Sequence, residues 1–326
     1  MAFSPTYDTT NPGAAVSNRE DLTDILTILE PEETPALSLA PKSKASATFT
    51  EWTVDKLADP VSDGISEGSD VDSFTDKFSG RARLGNYTQK FRRDYMVSDF
   101  QQAVESVGPA RIAEAEAKAM REIKRDIEFT ILSDNDRSVE DGAGTPYKLR
   151  GLGDWLDSSG PSDVPADYRT PAGSIKADSS TLTESEFDDL IKSIFTVNGD
   201  TNSLTCIAGT AVRSAITEFS RAEGASNTKV YNINQDATTK QITLSIDTFD
   251  SAYGMVSIIN GNPTCMPSTE RAYLINPEYY GIAELIPMGS RRLEDQGGGP
   301  RGYVDCSLTL LMKHPGAHGK ITDVTA

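Results

Sequence analysis

Gly64-Ile65-Ser66-Glu67-Gly68 has the G-x-S-x-G spacing of a nucleophile elbow. That chemistry needs a buried strand before the serine and a helix after it, so that the hydroxyl stands above a sheet. Here both flanks are acidic and polar, which predicts a loop. His314 and His318 are spaced like metal ligands, but no cysteine or acid stands close by, and both are expected at the surface. Asp134, Asp136 and Ser138 begin like a calcium loop, yet Val139 occupies the place where the sharp turn requires glycine. Asp70 and Asp72 fail the same test. Gly297-Gly298-Gly299 lacks the Lys-Ser/Thr of a phosphate-binding loop, and the Asn86-Tyr87-Thr88 sequon falls on an expected strand, where it is incidental. No acid, base and nucleophile converge, so neither a catalytic residue nor a cofactor or metal site is expected.

One charge pattern stands out. Asp59, Asp63, Glu67, Asp70, Asp72 and Asp76 follow one another without a lysine or arginine between them. The returning segment carries Arg81, Arg83, Lys90, Arg92 and Arg93 without an acid. The plain reading is a solvated hairpin whose exposed charges contribute little. The sharper one is complementarity between subunits: the acidic tip of one copy meets basic residues of the next and sets register more than affinity.

The elements that would position these charges follow from periodicity. Residues 1–17 are rich in Ser, Thr, Pro and Asn and read as an extended arm. Leu22, Ile25, Leu26 and Leu29 form one apolar face of a short helix behind an Asn18/Asp21 capping pair, ended by Pro31 and Pro35. Residues 46–57 and 83–98 read as strands, with Tyr87, Phe91, Tyr95 and Val97 on one face of the second. The polar stretch between them makes a long hairpin with a large tip. Such a hairpin is marginal alone, so it must lie on something else, here taken to be a neighbouring subunit. A long helix is expected over 109–132, with Ile123, Ile127 and Ile131 on its stripe. Residues 134–180 read as surface excursions anchored by Trp155. A compact α/β region starts at 181 with a Thr183/Glu186 capping box, and expected strands follow at 203–208, 242–247, 254–260 and 271–276. A second helix is expected over 210–221, and a last strand carries Val304, Cys306, Leu308, Leu310 and Met312.

Composition limits the partners. The net charge of the 326 residues is −18, against the basic surface that tight nucleic-acid binding needs. Cys206, Cys265 and Cys306 are odd in number and widely spaced, which predicts reduced thiols in an intracellular protein. The polar start does not resemble a signal peptide, and no apolar run approaches the ~20 residues of a membrane span.

The order of these parts, together with particular words, resembles one family. Asn18-Arg19-Glu20-Asp21-Leu22, Glu33-Thr34-Pro35, Lys44-Ala45 and Glu51-Trp52-Thr53-Val54-Asp55 look like the opening of one branch of tailed-bacteriophage major capsid proteins. Asn86-Tyr87-Thr88-Gln89 and Lys124-Arg125-Asp126-Ile127-Glu128 continue the likeness, which is good over 18–132 and weaker beyond. The resemblance implies an α+β chain of the Hong Kong 97 type capsid fold. Residues 1–44 would be the N-terminal arm and 45–100 the extended E-loop. Residues 101–180 would form the peripheral domain, with its spine helix at 109–132 and a surface excursion. Residues 181–290 would be the axial domain and 291–326 the return to the peripheral domain. It implies self-assembly as pentamers and hexamers into an icosahedral head shell, assembled in the host cytoplasm and carried in the virion. Further implied partners are a portal, a scaffold, protease or cement protein, and packaged DNA without sequence-specific contact; no membrane is implied. Some relatives crosslink through Lys and Asn; Lys56, Lys77 and Lys90 lie in the hairpin, but no motif singles one out and no crosslink is expected.

Competing readings are an encapsulin-like nanocompartment shell on the same fold, an acidic intracellular hydrolase using Ser66, and a phage tail or decoration protein. A neighbouring cargo gene, loss of esterase activity on Ser66→Ala, and tubes or trimers in place of shells would favour each in turn.

Overall fold

The computed structural model describes residues 31 and 33–324, apart from 79, 104–111, 160, 178–180, 200, 202, 220–221, 224–228, 231–232, 237–238 and 243–246. Between 222 and 242 only strand backbones are described. The expected helix of residues 18–29, the start of the helix at 109 and most of the strand at 242–247 lie outside the described residues.

The chain enters through a short helix, α1 (Pro35–Leu39), and an edge strand, β1 (Lys42–Lys44). β2 (Phe49–Val54) pairs antiparallel with β3 (Ala82–Tyr87), and β4 (Gln89–Met96) follows at once. The expected strand of 83–98 is therefore two strands. They part at Thr88, whose N–H donates to the Thr48 carbonyl while its hydroxyl donates to that of Ala47. Only the first strand belongs to the hairpin. α2 (Asp99–Ala103) leads to α3 (Ile112–Leu132), whose Ile123, Ile127 and Ile131 are fully buried along one stripe, as the spacing predicts. At ~1.5 Å per residue its 21 residues make a rod of roughly 32 Å.

After α4 (Leu152–Trp155) and β5 (Ile175–Ala177) comes α5 (Glu184–Asn198). Thr183 accepts from the Glu186 N–H, and the Glu186 carboxylate accepts from the Thr183 N–H, which completes the expected capping box. Gly199 ends the helix in the left-handed conformation, φ 73°, a position suited to glycine. β6 (Leu204–Ala208) and α6 (Thr210–Phe219) follow. Next are two small hairpins, β7 (Ala222–Glu223) with β8 (Lys229–Val230), and β9 (Ile233–Asp236) with β10 (Thr239–Ile242). The chain ends with β11 (Thr248–Ser251), β12 (Gly254–Asn260), β13 (Ala272–Ile275), β14 (Tyr280–Leu293), β15 (Arg301–Met312) and β16 (Gly319–Thr322).

Two sheets carry the cores. The four-stranded sheet runs β1-β14-β15-β4, and α3 packs on it through Ile123, Ile127, Phe91, Val304 and Leu310. The six-stranded sheet runs β11-β12-β6-β13-β16-β5. Phe187, Ile191, Val212 and Ile216 of α5 and α6 cover one of its faces. On the other, Ile207, Tyr273 and Ile275 join the first core.

Three expectations need correction. The boundary drawn at 290 falls inside β14, and the return is shared: β14 and β15 lie in the first sheet, while β16 crosses to the second. β15 buries its apolar residues as expected but also Asp305, Ser307 and Thr309, because it is central and covered on both faces. His318 is not a surface histidine. It is fully buried, and its Nδ1 accepts the Asn276 N–H at 3.1 Å. Burial, with His314 nearby, pushes its pKa down to about 3, so it is neutral wherever the protein folds at ordinary pH. Cys206, Cys265 and Cys306 are free and buried. No helix among the described residues is long and apolar enough to cross a membrane.

Candidate functional site

The feature that projects from this body is the connection between β2 and β3. From Asp55 to Arg81 the described chain has no strand or helix, only turns. All six acids of the sequence pattern lie there and are exposed. So are its large apolar side chains: Leu57 is 92% exposed, Ile65 89% and Phe74 91%, with Val61, Val71 and Phe78 also open to solvent. A soluble chain rarely displays six such side chains in one segment unless something covers them. Ser66 sits in this segment, in a turn closed by the Ser69 N–H donating to its carbonyl. With no strand before it and no helix after it, the elbow geometry is absent.

The root of the projection is held firmly. Asn86, buried in β3, donates from its amide to the carbonyls of Leu310 and Arg150 and accepts the Arg150 N–H at 2.8 Å. Gln89 accepts the Leu149 N–H, and Thr309 donates to the Tyr87 carbonyl. The Arg137 guanidinium donates to the Gly85 carbonyl and lies over the rings of Phe49 and Tyr87. The Tyr168 hydroxyl donates to the Gly80 carbonyl at the returning end of the loop. Trp52 of β2 packs against Trp155 in a tilted arrangement, with ring centroids 5.8 Å apart.

Within the expected surface excursion of 134–180, residues 139–146 are exposed and Trp155 is the buried anchor, but the stretch around it, Leu149 to Leu156, forms a clamp that the sequence did not suggest. Leu149, Leu152, Trp155 and Leu156 are fully buried. The centre of the clamp is Arg150, a buried cation. It bonds Asp136 at 2.7 Å and Asp163 at 2.6 Å, and its Cζ lies 4.9 Å from the centre of the Trp155 ring. Asp154 approaches its Nε to 2.8 Å, in charge contact but outside hydrogen-bonding geometry. Burial alone would raise the Asp163 carboxyl; the hydrogen bond and charge of Arg150, with Arg137 beside it, outweigh this and leave it below the usual range. Asp154 goes the other way, because burial outweighs the Arg150 charge. Composition hides such a cluster: Asp and Gly between 134 and 163 read as loop, and nothing local marks one arginine as buried. The Asn86–Gln89 word is the one signal that could have located it.

The basic residues of the pattern do not form one surface. Arg81 pairs with Asp55 across the loop root at 2.8 Å. Lys90 faces the buried Asp305 at 3.4 Å. Arg93 makes a bidentate pair with Asp126 of α3, at 2.6 and 2.7 Å. Arg83 and Arg92 are exposed and make no ion pair among the described residues. Asp134 pairs with Arg271, and no cluster of His, Cys, Asp and Glu able to hold a metal occurs among the described residues.

The fold as a whole is similar to that of solved shell proteins. The structure matches the capsid of a native GTA particle with a TM-score of 0.63 over 100% of both chains, at 11% identity. It matches a capsid chain of cyanophage A-1(L) with a TM-score of 0.62, covering 98% of this chain and 100% of that one, at 15% identity. It matches the capsid of cyanophage P-SCSP1u with a TM-score of 0.62, covering 95% and 93%, at 10% identity. These likenesses establish the fold as the α+β capsid type expected from the sequence. No curated protein matches the chain. The family model described as SU10 major capsid protein matches residues 5–325. The chain therefore belongs to the SU10 major capsid protein family and is a phage shell-forming protein.

Proposed function

We propose that this chain assembles as pentamers and hexamers into the icosahedral head that encloses double-stranded DNA, with a structural and not a catalytic role. The observation that carries this is the 55–81 projection, whose large apolar and acidic side chains are exposed in the subunit as far as its residues are described. A neighbouring copy supplies the cover. The four-stranded sheet with α3 is the peripheral domain, and the six-stranded sheet with α5 and α6 is the axial domain. Assembly takes place in the host cytoplasm, and the portal and any scaffold, protease or cement protein join there. The net charge of −18 suits a wall that DNA slides along without gripping.

Negative-stain electron microscopy of the purified protein tests the reading. Closed shells or rings of five and six are expected. A small oligomer that never closes, at high concentration and with crowding agents, would count against it.

The interface within that shell joins the acidic residues Asp59, Asp63, Glu67, Asp70, Asp72 and Asp76 of one copy to cations of the next. Arg81, Lys90 and Arg93 already have partners in their own subunit, so Arg83 and Arg92 are the better contributors. Reversing both to Glu is expected to reduce shell yield, read by sedimentation, with the circular dichroism of the subunit unchanged. Shells of normal yield and size from this variant would remove these two residues from the interface.

A further inference from the structure

Glu128 is a carboxylic acid in the interior with no salt bridge among the described residues. It projects from the C-terminal part of α3, four residues before the helix ends, and is fully buried. Its two oxygens accept the backbone N–H groups of Ala36 and Leu37, each at 2.8 Å. These are the second and third residues of α1, whose N-cap Thr34 offers no side-chain cap. The first turn of a helix leaves its N–H groups without partners, and here a side chain far away in sequence supplies them. Two more side chains, Tyr280 and Asn262, hold the same segment. The Tyr280 hydroxyl donates to the Ala36 carbonyl at 3.0 Å, and the Asn262 amide donates to the carbonyls of Glu33 and Pro31 at 2.8 and 3.3 Å.

We propose that Glu128 is a proton-controlled latch for the root of the N-terminal arm: neutral Glu128 keeps residues 34–39 seated on α3, and its ionisation loosens them. An anion in apolar surroundings is far less favourable than the neutral acid, and two backbone hydrogen bonds offset only part of that difference. Burial accordingly lifts the Glu128 carboxyl to about 7, against the lowering effect of the Ala36 and Leu37 bonds. The titratable groups that face it are the Cys265 thiol, from the turn after β12, and the Tyr280 hydroxyl of β14. Burial raises both, so neither changes charge between pH 5 and 8. Of the nearby charges on α3, Arg121 and Lys124 line a surface groove beside Glu33, and Arg125 donates to Thr264.

The sign follows from linkage. With the segment seated, the carboxyl holds its proton more tightly than it would in water. Seating is therefore strongest at low pH and weakens as pH rises through about 7, the reverse of a latch held by an ion pair.

Hydrogen exchange by mass spectrometry on the full chain, corrected for the intrinsic pH dependence of exchange, tests this. Protection over residues 33–40 should fall about tenfold from pH 6 to pH 8, while amides of the central strand β15 stay unchanged. Glu128→Gln cannot titrate and should give a flat profile. A flat wild-type profile overturns the proposal, as does a sloped profile that survives in folded Glu128→Gln. Should that variant fail to fold, the wild-type slope measured against β15 decides alone. Neither outcome depends on whether shells form.

Discussion

Replacing residues 59–76 by a short turn will leave a subunit that folds and melts like the parent but forms no closed shells. The removed segment makes no contact with either core, and its backbone is neither helix nor strand. The anchors of the root lie outside it: Asn86 on Arg150 and Leu310, Arg137 on Gly85, Tyr168 on Gly80, and Trp52 on Trp155. The deletion takes away Val61, Ile65, Val71 and Phe74 together with six carboxylates. Burying each of those apolar side chains contributes about 1.5–3 kcal/mol, so a covered loop offers roughly 6–12 kcal/mol gross per subunit before the cost of ordering it. Loss of even a third of that shifts an association constant by more than tenfold, and a shell repeats the contact many times. Sedimentation velocity and negative-stain microscopy give the assembly result, and calorimetry of the unassembled subunit gives its stability. Shells of ordinary size from the shortened chain would show that the projection is not the assembly element.

Arg150→Ala will destabilise the subunit itself by about 3–5 kcal/mol, the range for removing one partner of a buried ion pair. The side chain of Arg150 is 2% exposed and faces Asp136, Asp154 and Asp163. Without the guanidinium, Asp154 and Asp163 remain half-buried beside one another, and Trp155 loses the cation over its ring. Asp136 is largely open to water and moderates the effect, which places the expected value toward the lower end of the range. Arg150→Met retains much of the volume and should recover part of the packing but none of the charge. Urea unfolding of the dissociated subunit measures all of this. Arg92→Ala is the control: an exposed arginine without an ion pair should change stability by no more than about 0.5 kcal/mol. Equal midpoints for the two alanine variants would mean that Arg150 is not the centre of the clamp.

Local chemistry determined a good deal of this protein from its residues alone. Ile123, Ile127 and Ile131 recur at helical spacing, and any long amphipathic helix must bury that stripe. Thr183 and Glu186 cap α5 because both partners lie within one turn. The alternation in β15 and the boundaries of β12 are likewise properties of neighbours in sequence, and so is the run of acids at 59–76. The order of these elements, with a few words such as Asn86–Gln89, was enough to place the chain among phage capsid proteins.

Only the tertiary structure decided what depends on partners far apart in the chain. Thr88 divides one expected strand into two because β3 belongs to β2 and β4 to β15. The 134–180 segment carries the composition of a surface loop, yet its centre, Leu149 to Leu156, is buried because Arg150 finds Asp136 and Asp163 and Trp155 finds Trp52. Arg93, read as an interface residue, is held by Asp126 of a helix packed against its strand. His318 and Glu128 look like ordinary surface residues in sequence. Their burial follows from where β16 and α1 dock. Periodicity and capping act over a few residues, so sequence displays them directly. Burial of a charge and the choice of its partner are settled when distant segments exclude water together, and no short stretch of sequence records that event.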